Sequence, residues 1–140
     1  GFHIFTRNDT PRLNNVTELE GKSSVSARGY GVPVEYELND AINKSLTNSN
    51  ENVPQMILGG RVDAGIIQSG WIPTLESQNL LKGLHHGEVI EFWGGAFIFH
   101  PTQEGIEMAN KFSNIILKLV TEGRYKDLMK DAPYFIPNYQ

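Results

Sequence analysis

The stretch Gly59-Gly60-Arg61-Val62-Asp63-Ala64-Gly65-Ile66-Ile67-Gln68-Ser69 decides how the chain is read. Its paired glycines suit the end of a helix, because glycine enters the left-handed backbone region without a Cβ clash. Val62, Ala64, Ile66 and Ile67 then form a short apolar run, the pattern of a strand covered on both faces. Gln68, Ser69 and Trp71 follow at the strand's carboxyl end, where ligands sit in open α/β sheets. The same residues would equally serve as a core strand followed by an ordinary loop, so the decision falls to the rest of the chain.

Upstream, residues 53–58 predict a short helix that tolerates Pro54 in its first turn. The polar segment 47–52 is a surface loop, and a short strand around residues 45–47 precedes it. Residues 24–27 read as a strand of small residues, followed by Gly29-Tyr30-Gly31. Pro33 then opens a helix whose apolar face is Val34, Leu38, Ala41 and Ile42. Residues 2–6 read as the first strand, closed by the turn residues Asn8-Asp9-Thr10-Pro11, and residues 16–21 as one helical turn. Downstream come a helix over 72–79, a strand over 85–91 and a longer strand over 93–99. Ile106, Ala109, Phe112, Ile116, Leu119 and Val120 share one face of a long helix, which Gly123 stops before a shorter helix over 124–130. Strands alternating with helices predict an α/β domain, a mainly parallel sheet flanked by helices.

Composition narrows the function. The chain has 140 residues, 39% of them hydrophobic and 20% charged, enough for one domain with a sizeable core. Twelve basic residues against 16 acidic ones give a net charge of -4, which argues against nucleic acid as the main partner. No apolar run reaches the length of a membrane span. Without cysteine there is no disulfide framework, thiolate nucleophile or cysteine-held metal. His85-His86 invites a metal reading, but neighbours on a strand point to opposite faces and no third ligand has an obvious spacing, so no metal is expected. His3 and His100 read as exposed surface residues. No serine stands in a nucleophile elbow, and no paired carboxylates are evident, so no catalytic residue is nominated. Beginning at Gly1, the chain reads as a mature, processed or excised piece.

Four pieces, in order, resemble the type II periplasmic solute-binding proteins, specifically family 3, the amino-acid-binding branch of ABC transporter substrate-binding proteins. Leu19-Glu20-Gly21-Lys22 resembles the "LxGK" before the first strand of the second lobe. Arg28-Gly29-Tyr30-Gly31 stands where the family has a "GS/GT" loop at a helix N-terminus. Gly60-Arg61-Val62-Asp63-Ala64 matches "GRVDA". Trp93-Gly94-Gly95-Ala96-Phe97 with Glu122-Gly123-Arg124-Tyr125 resembles "YGIAV … DGTYxKI". The resemblance implies a second lobe over about 7–94 within a single domain 1–140. It also implies crossover strands at about 2–6 and 95–99 and C-terminal helices over about 102–131. The long helix would need cover, from this lobe's own sheet, a second copy or a missing first lobe.

In that family the glycine loop holds a ligand carboxylate, which nominates Gly29, Tyr30, Gly31 and Val32. A turn that needs glycine only for its geometry remains the alternative. Tyr30 replaces the usual Ser or Thr, which implies a different or larger ligand. Counting from Asp63, Gln68 stands where family members that bind α-amino acids have an aspartate for the ammonium group. A neutral amide cannot supply that charge, which disfavours an ordinary α-amino acid. Ser69 and Trp71 complete the candidate ligand-binding set, with Trp93 a further aromatic at the mouth. The implied function is an extracytoplasmic or periplasmic solute-binding domain for a small polar ligand. It would serve a membrane transporter or sensor, without cofactor or catalysis. The same fold also occurs as the effector domain of transcription regulators and in enzymes such as cyclohexadienyl dehydratase relatives.

Overall fold

The chain divides into two compact units, Gly1–Phe92 and Trp93–Gln140. The computed structural model describes residues 1–92 of the first and 97–128 of the second.

The first unit is built on a five-stranded sheet of order β3-β2-β4-β1-β5. Its strands are β1 (Phe2–Arg7), β2 (Ser23–Ala27), β3 (Asn43–Thr47), β4 (Ala64–Gln68) and β5 (Leu84–His86). β2 runs parallel to both β3 and β4, whereas β1 is antiparallel to β4 and to β5. The parallel sheet read from the sequence is therefore one half of a mixed sheet. Helices α1 (Val34–Leu38), α2 (Asn52–Leu58) and α3 (Ile72–Ser77) connect the strands.

Side chains alternate across the sheet, so the apolar runs fill two cores. Phe5, Val25 and Ile67 pack with Val53 and Ile57 of α2 and Leu75 of α3 on one face. Phe2, Ile4, Ala64 and Ile66 pack with Leu19, Tyr36 and Ile42 on the other. Both faces of β4 are thus buried, which is why its sequence reads as a continuous apolar run rather than an alternating one.

The glycine pair ends α2 in the way the sequence implies. Gly60 has φ +65°, its N–H donates to the Ile57 carbonyl at 3.0 Å, and the Arg61 N–H donates to that of Met56 at 3.0 Å. That pattern is a Schellman cap. Asp63 then clasps the starts of two strands. Its Oδ2 accepts from the Ser23 N–H at 2.8 Å and from Ser23 Oγ at 2.7 Å, and these bonds hold its carboxyl below the usual carboxylate range.

The helix after Pro33 departs from its expected form. It spans only Val34–Leu38, with Val34 54% and Leu38 75% exposed, while Tyr36 is buried with its hydroxyl 2.8 Å from Ser24 Oγ. The chain leaves the helix because Asn39 Oδ1 accepts the Ala41 N–H at 3.0 Å, and Lys44 Nζ satisfies the Tyr36 and Glu37 carbonyls at 3.1 and 2.8 Å. These bonds complete the helix end within the protein, and the apparent Val34–Leu38 stripe faces outward.

The second unit holds α4 (Gln103–Thr121) and α5 (Arg124–Leu128). Thr102 Oγ1 caps α4 by accepting the Gly105 N–H at 3.2 Å, and Gly123, at φ +71°, separates the two helices. No residue of α4 is buried. Phe97 and Phe99 set their rings 5.1 and 5.7 Å from that of Phe112. Of the strand expected over 93–99, residues 97–99 carry no strand and 93–96, including Trp93, lie outside the described residues. The same holds for the last residues, 129–131, of the expected C-terminal helices.

Candidate functional site

Two loops that leave the sheet at the same end form the candidate site. β2 and β4 are adjacent and parallel, so the segments after Ala27 and after Gln68 emerge side by side. The Tyr30 and Trp71 rings meet edge-on, with centroids 5.5 Å apart. Residues 41 positions apart in sequence are thereby joined at the carboxyl ends of parallel strands, the usual position of ligand crevices in α/β sheets.

The first loop turns at Gly29, whose φ of +82° lies in the region that favours glycine. The Tyr30 N–H closes the turn on the Ala27 carbonyl at 3.4 Å. Among the described residues, the N–H groups of Gly29, Gly31 and Val32 donate no hydrogen bond. Tyr30 is 42% exposed, and Val32 is half-buried against the core beneath α1. The helix end that the sequence aims at an anion is already engaged, since the Val34 N–H donates to Glu91 Oε2 at 3.2 Å.

The second loop divides its residues between scaffold and mouth. Ser69 is buried, and its N–H and its hydroxyl both donate to the Gly1 carbonyl, at 2.9 and 3.1 Å. Its donors tie the start of β1 to the loop. Gln68 is half-buried at the end of β4, directly opposite Phe2 in register. Trp71 is half-buried, resting on the core beneath α3 with its ring perpendicular to that of Tyr30.

The histidines fall elsewhere. His3, expected on the surface, is buried, because β1 is covered on both faces. Its Nδ1 lies 3.1 Å from the Gly87 carbonyl, and its ring stands 4.4 Å from that of His86. Among the described residues no group of three His, Asp or Glu side chains is placed to hold a metal ion. Two surface grooves, of about 440 and 730 Å³, are lined by other residues. The larger, between Arg7, Lys22 and Asp63, lies at the opposite end of the strands from the mouth.

Sequence reasoning does not find Glu91. It meets Val34 across 57 positions of chain, and no local spacing announces such a contact.

No family model matches the chain, and no curated protein is significantly similar to it. Solved structures do resemble it. Domain 2 of TmArgBP superposes with a TM-score of 0.58 at 21% identity, over 66% of this chain and 100% of that one. A mutant of ArgBP from T. maritima gives a TM-score of 0.69 at 20% identity, over 94% of this chain and 56% of that one. The substrate-binding protein of an amino acid ABC transporter gives 0.65 at 15% identity, over 93% of this chain and 58% of that one. The chain thus spans little more than half the length of those two longer proteins. Its fold is that of type II periplasmic binding proteins, a mixed sheet flanked by helices as in one of their lobes.

Proposed function

We propose that the chain is the second lobe, with C-terminal helices, of an extracytoplasmic solute-binding protein that serves an ABC transporter or a sensor. The observation that carries this reading is the convergence of the 28–33 and 68–71 loops at Tyr30 and Trp71, in a fold shared with amino-acid-binding proteins. Gly29, Tyr30, Gly31, Val32, Gln68 and Trp71 form the ligand-facing set, and Ser69 holds the second loop in place. The mouth combines loop N–H groups that donate to nothing else in the described residues, an amide and two aromatic rings, groups that hold a small polar solute by hydrogen bonds and stacking. A first lobe would supply the opposing contacts, and closure of the two lobes would present the loaded form to the membrane partner.

The test is an amide NMR titration of the 140-residue chain with a panel of amino acids, amines, carboxylates and sugars. One solute class should shift the resonances of residues 29–32, 68 and 71 at millimolar concentration and leave those of β5 in place. Shifts confined to other regions, or none across the panel, would refute the assignment.

A further inference from the structure

β3 is an edge strand of the sheet, with β2 on one side and no neighbour on the other among the described residues. Along a parallel pair, alternate residues turn their main-chain groups toward the neighbouring strand. The Asn43 N–H donates to the Lys22 carbonyl at 3.1 Å, and the Thr47 carbonyl accepts the Arg28 N–H at 2.8 Å. The main-chain groups of Lys44 and Leu46 therefore line the open edge. Sheets usually guard such an edge with a free lysine, a proline or a bulge. Lys44, the one charged residue of β3, does not guard it, because its Nζ is turned onto the Tyr36 and Glu37 carbonyls of α1. Leu46, on the same face as Lys44, is 56% exposed.

The opposite face of β3 borders a groove. α2 packs chiefly over β2, β4 and β1, which leaves a step beside β3. The groove there, of about 440 Å³, is lined by Thr47 of β3, by Asn52, Gln55 and Met56 of α2, and by Gly59 and Arg61 after it. Arg61 is the only charged group in the lining. Among the described residues it forms no ion pair, and the side chains of Asn52 and Gln55 make no hydrogen bond. A guanidinium among neutral polar groups, with no carboxylate in the lining, selects an anionic side chain. An extended peptide laid along β3 offers main-chain groups to Lys44 and Leu46, and alternate side chains to the groove and to the Leu46 face. A second copy's β3 does not match the groove, since Asn43–Thr47 contains no acidic residue. We infer that the β3 edge and its groove form a docking site for an extended acidic segment of a partner protein, which joins the sheet as a further strand. This site shares no residue with the solute mouth, so neither reading depends on the other.

The probes are two end-blocked peptides of the length of β3, one alternating valine with glutamate and the other valine with lysine. In amide NMR titrations of the whole chain at millimolar peptide, the glutamate peptide should shift residues 43–47 and 61. The lysine peptide, with the same valines, should not. Arg61→Gln should weaken the glutamate peptide about tenfold, the loss of one charge-assisted contact. Leu46→Pro should abolish its binding, because it removes an N–H from the open edge and leaves the ladder to β2 intact, a place where strands tolerate proline. Should Leu46→Pro lower the thermal midpoint, Arg61→Gln decides alone. Equal affinity in the folded variants overturns the inference, as do equal shifts with both peptides, shifts confined to other regions or no binding at all. Shifts at residues 52–61 without any at 43–47 reduce the groove to a simple anion contact. Larger species in sedimentation that Leu46→Pro returns to monomer give the edge to a second copy. Either of these two results also overturns the inference.

Discussion

At Gly65 the side chains of α2 press directly on the sheet. A Cβ there would collide with Val53 Cγ1 and stand 2.9 Å from Ile57 Cδ1. Both contacts belong to α2 side chains that are completely buried, so neither can swing aside. Gly65→Ala should destabilise the first unit by about 1–3 kcal/mol, the cost of overpacking a filled core. Chemical denaturation followed by tryptophan fluorescence would measure it, and an unchanged midpoint would contradict the close packing of α2. Gly65 also marks what a sequence yields at this scale. The Gly60 cap could be read directly, because a left-handed φ is a local demand. The need for glycine at 65 could not, because it arises from a helix that packs across the strand. Gln68 and Glu91 differ in the same way. The first lies at a countable distance from Asp63, and the second reaches Val34 through the sheet.

At the scale of elements, β1 carries the most consequence. It is antiparallel to both neighbours and sets His3 against His86 of β5. Both Nδ1 atoms point at one acceptor, the Gly87 carbonyl, at 3.1 and 2.7 Å. His3 Nε2 is buried without a hydrogen-bond partner among the described residues. Burial lowers the His3 pKa from its ordinary 6.5, and the neighbouring His86 adds to that, against the opposing pull of the Gly87 bond. The folded state therefore resists protonation at a pH where the unfolded chain accepts it. Stability is full above about pH 6.5 and falls as the pH drops from there toward the lowered folded value. Thermal midpoints recorded from pH 7.5 to 5 should decline through this window, and His3→Gln should flatten the decline. An equally steep fall in the variant would assign the effect to other groups. Element type was largely legible in the sequence, since the alternating and helical periods are local. The end of α1 was not, because Asn39 and Lys44 close it through contacts the periodicity cannot register.

For the whole molecule, the open question is the surface of α4. At 100° per residue its apolar positions from Ile115 round to Leu117 cover roughly 200° of the helix, twice the stripe that packing on one partner needs. Ala109, Ile116 and Val120, at the middle of that arc, are half-buried, while Ile106, Ile115 and Leu117 at its edges remain 53%, 51% and 62% exposed. Lone exposed apolar residues are ordinary, but an arc of this width, broken by Ser113 alone among polar side chains, is what soluble surfaces avoid. The chain in isolation should therefore bind an apolar dye such as ANS and shift toward larger species in sedimentation as its concentration rises. Ile115→Glu with Leu117→Lys should remove most of the dye signal. Both positions are exposed and both new residues favour helix, so the helical circular dichroism should persist. The urea midpoint of the first unit should also stay where it was, because neither side chain belongs to its two cores. Undiminished dye binding in the double variant would place the exposed apolar surface elsewhere, with Phe92 and Leu38 as the next positions to change.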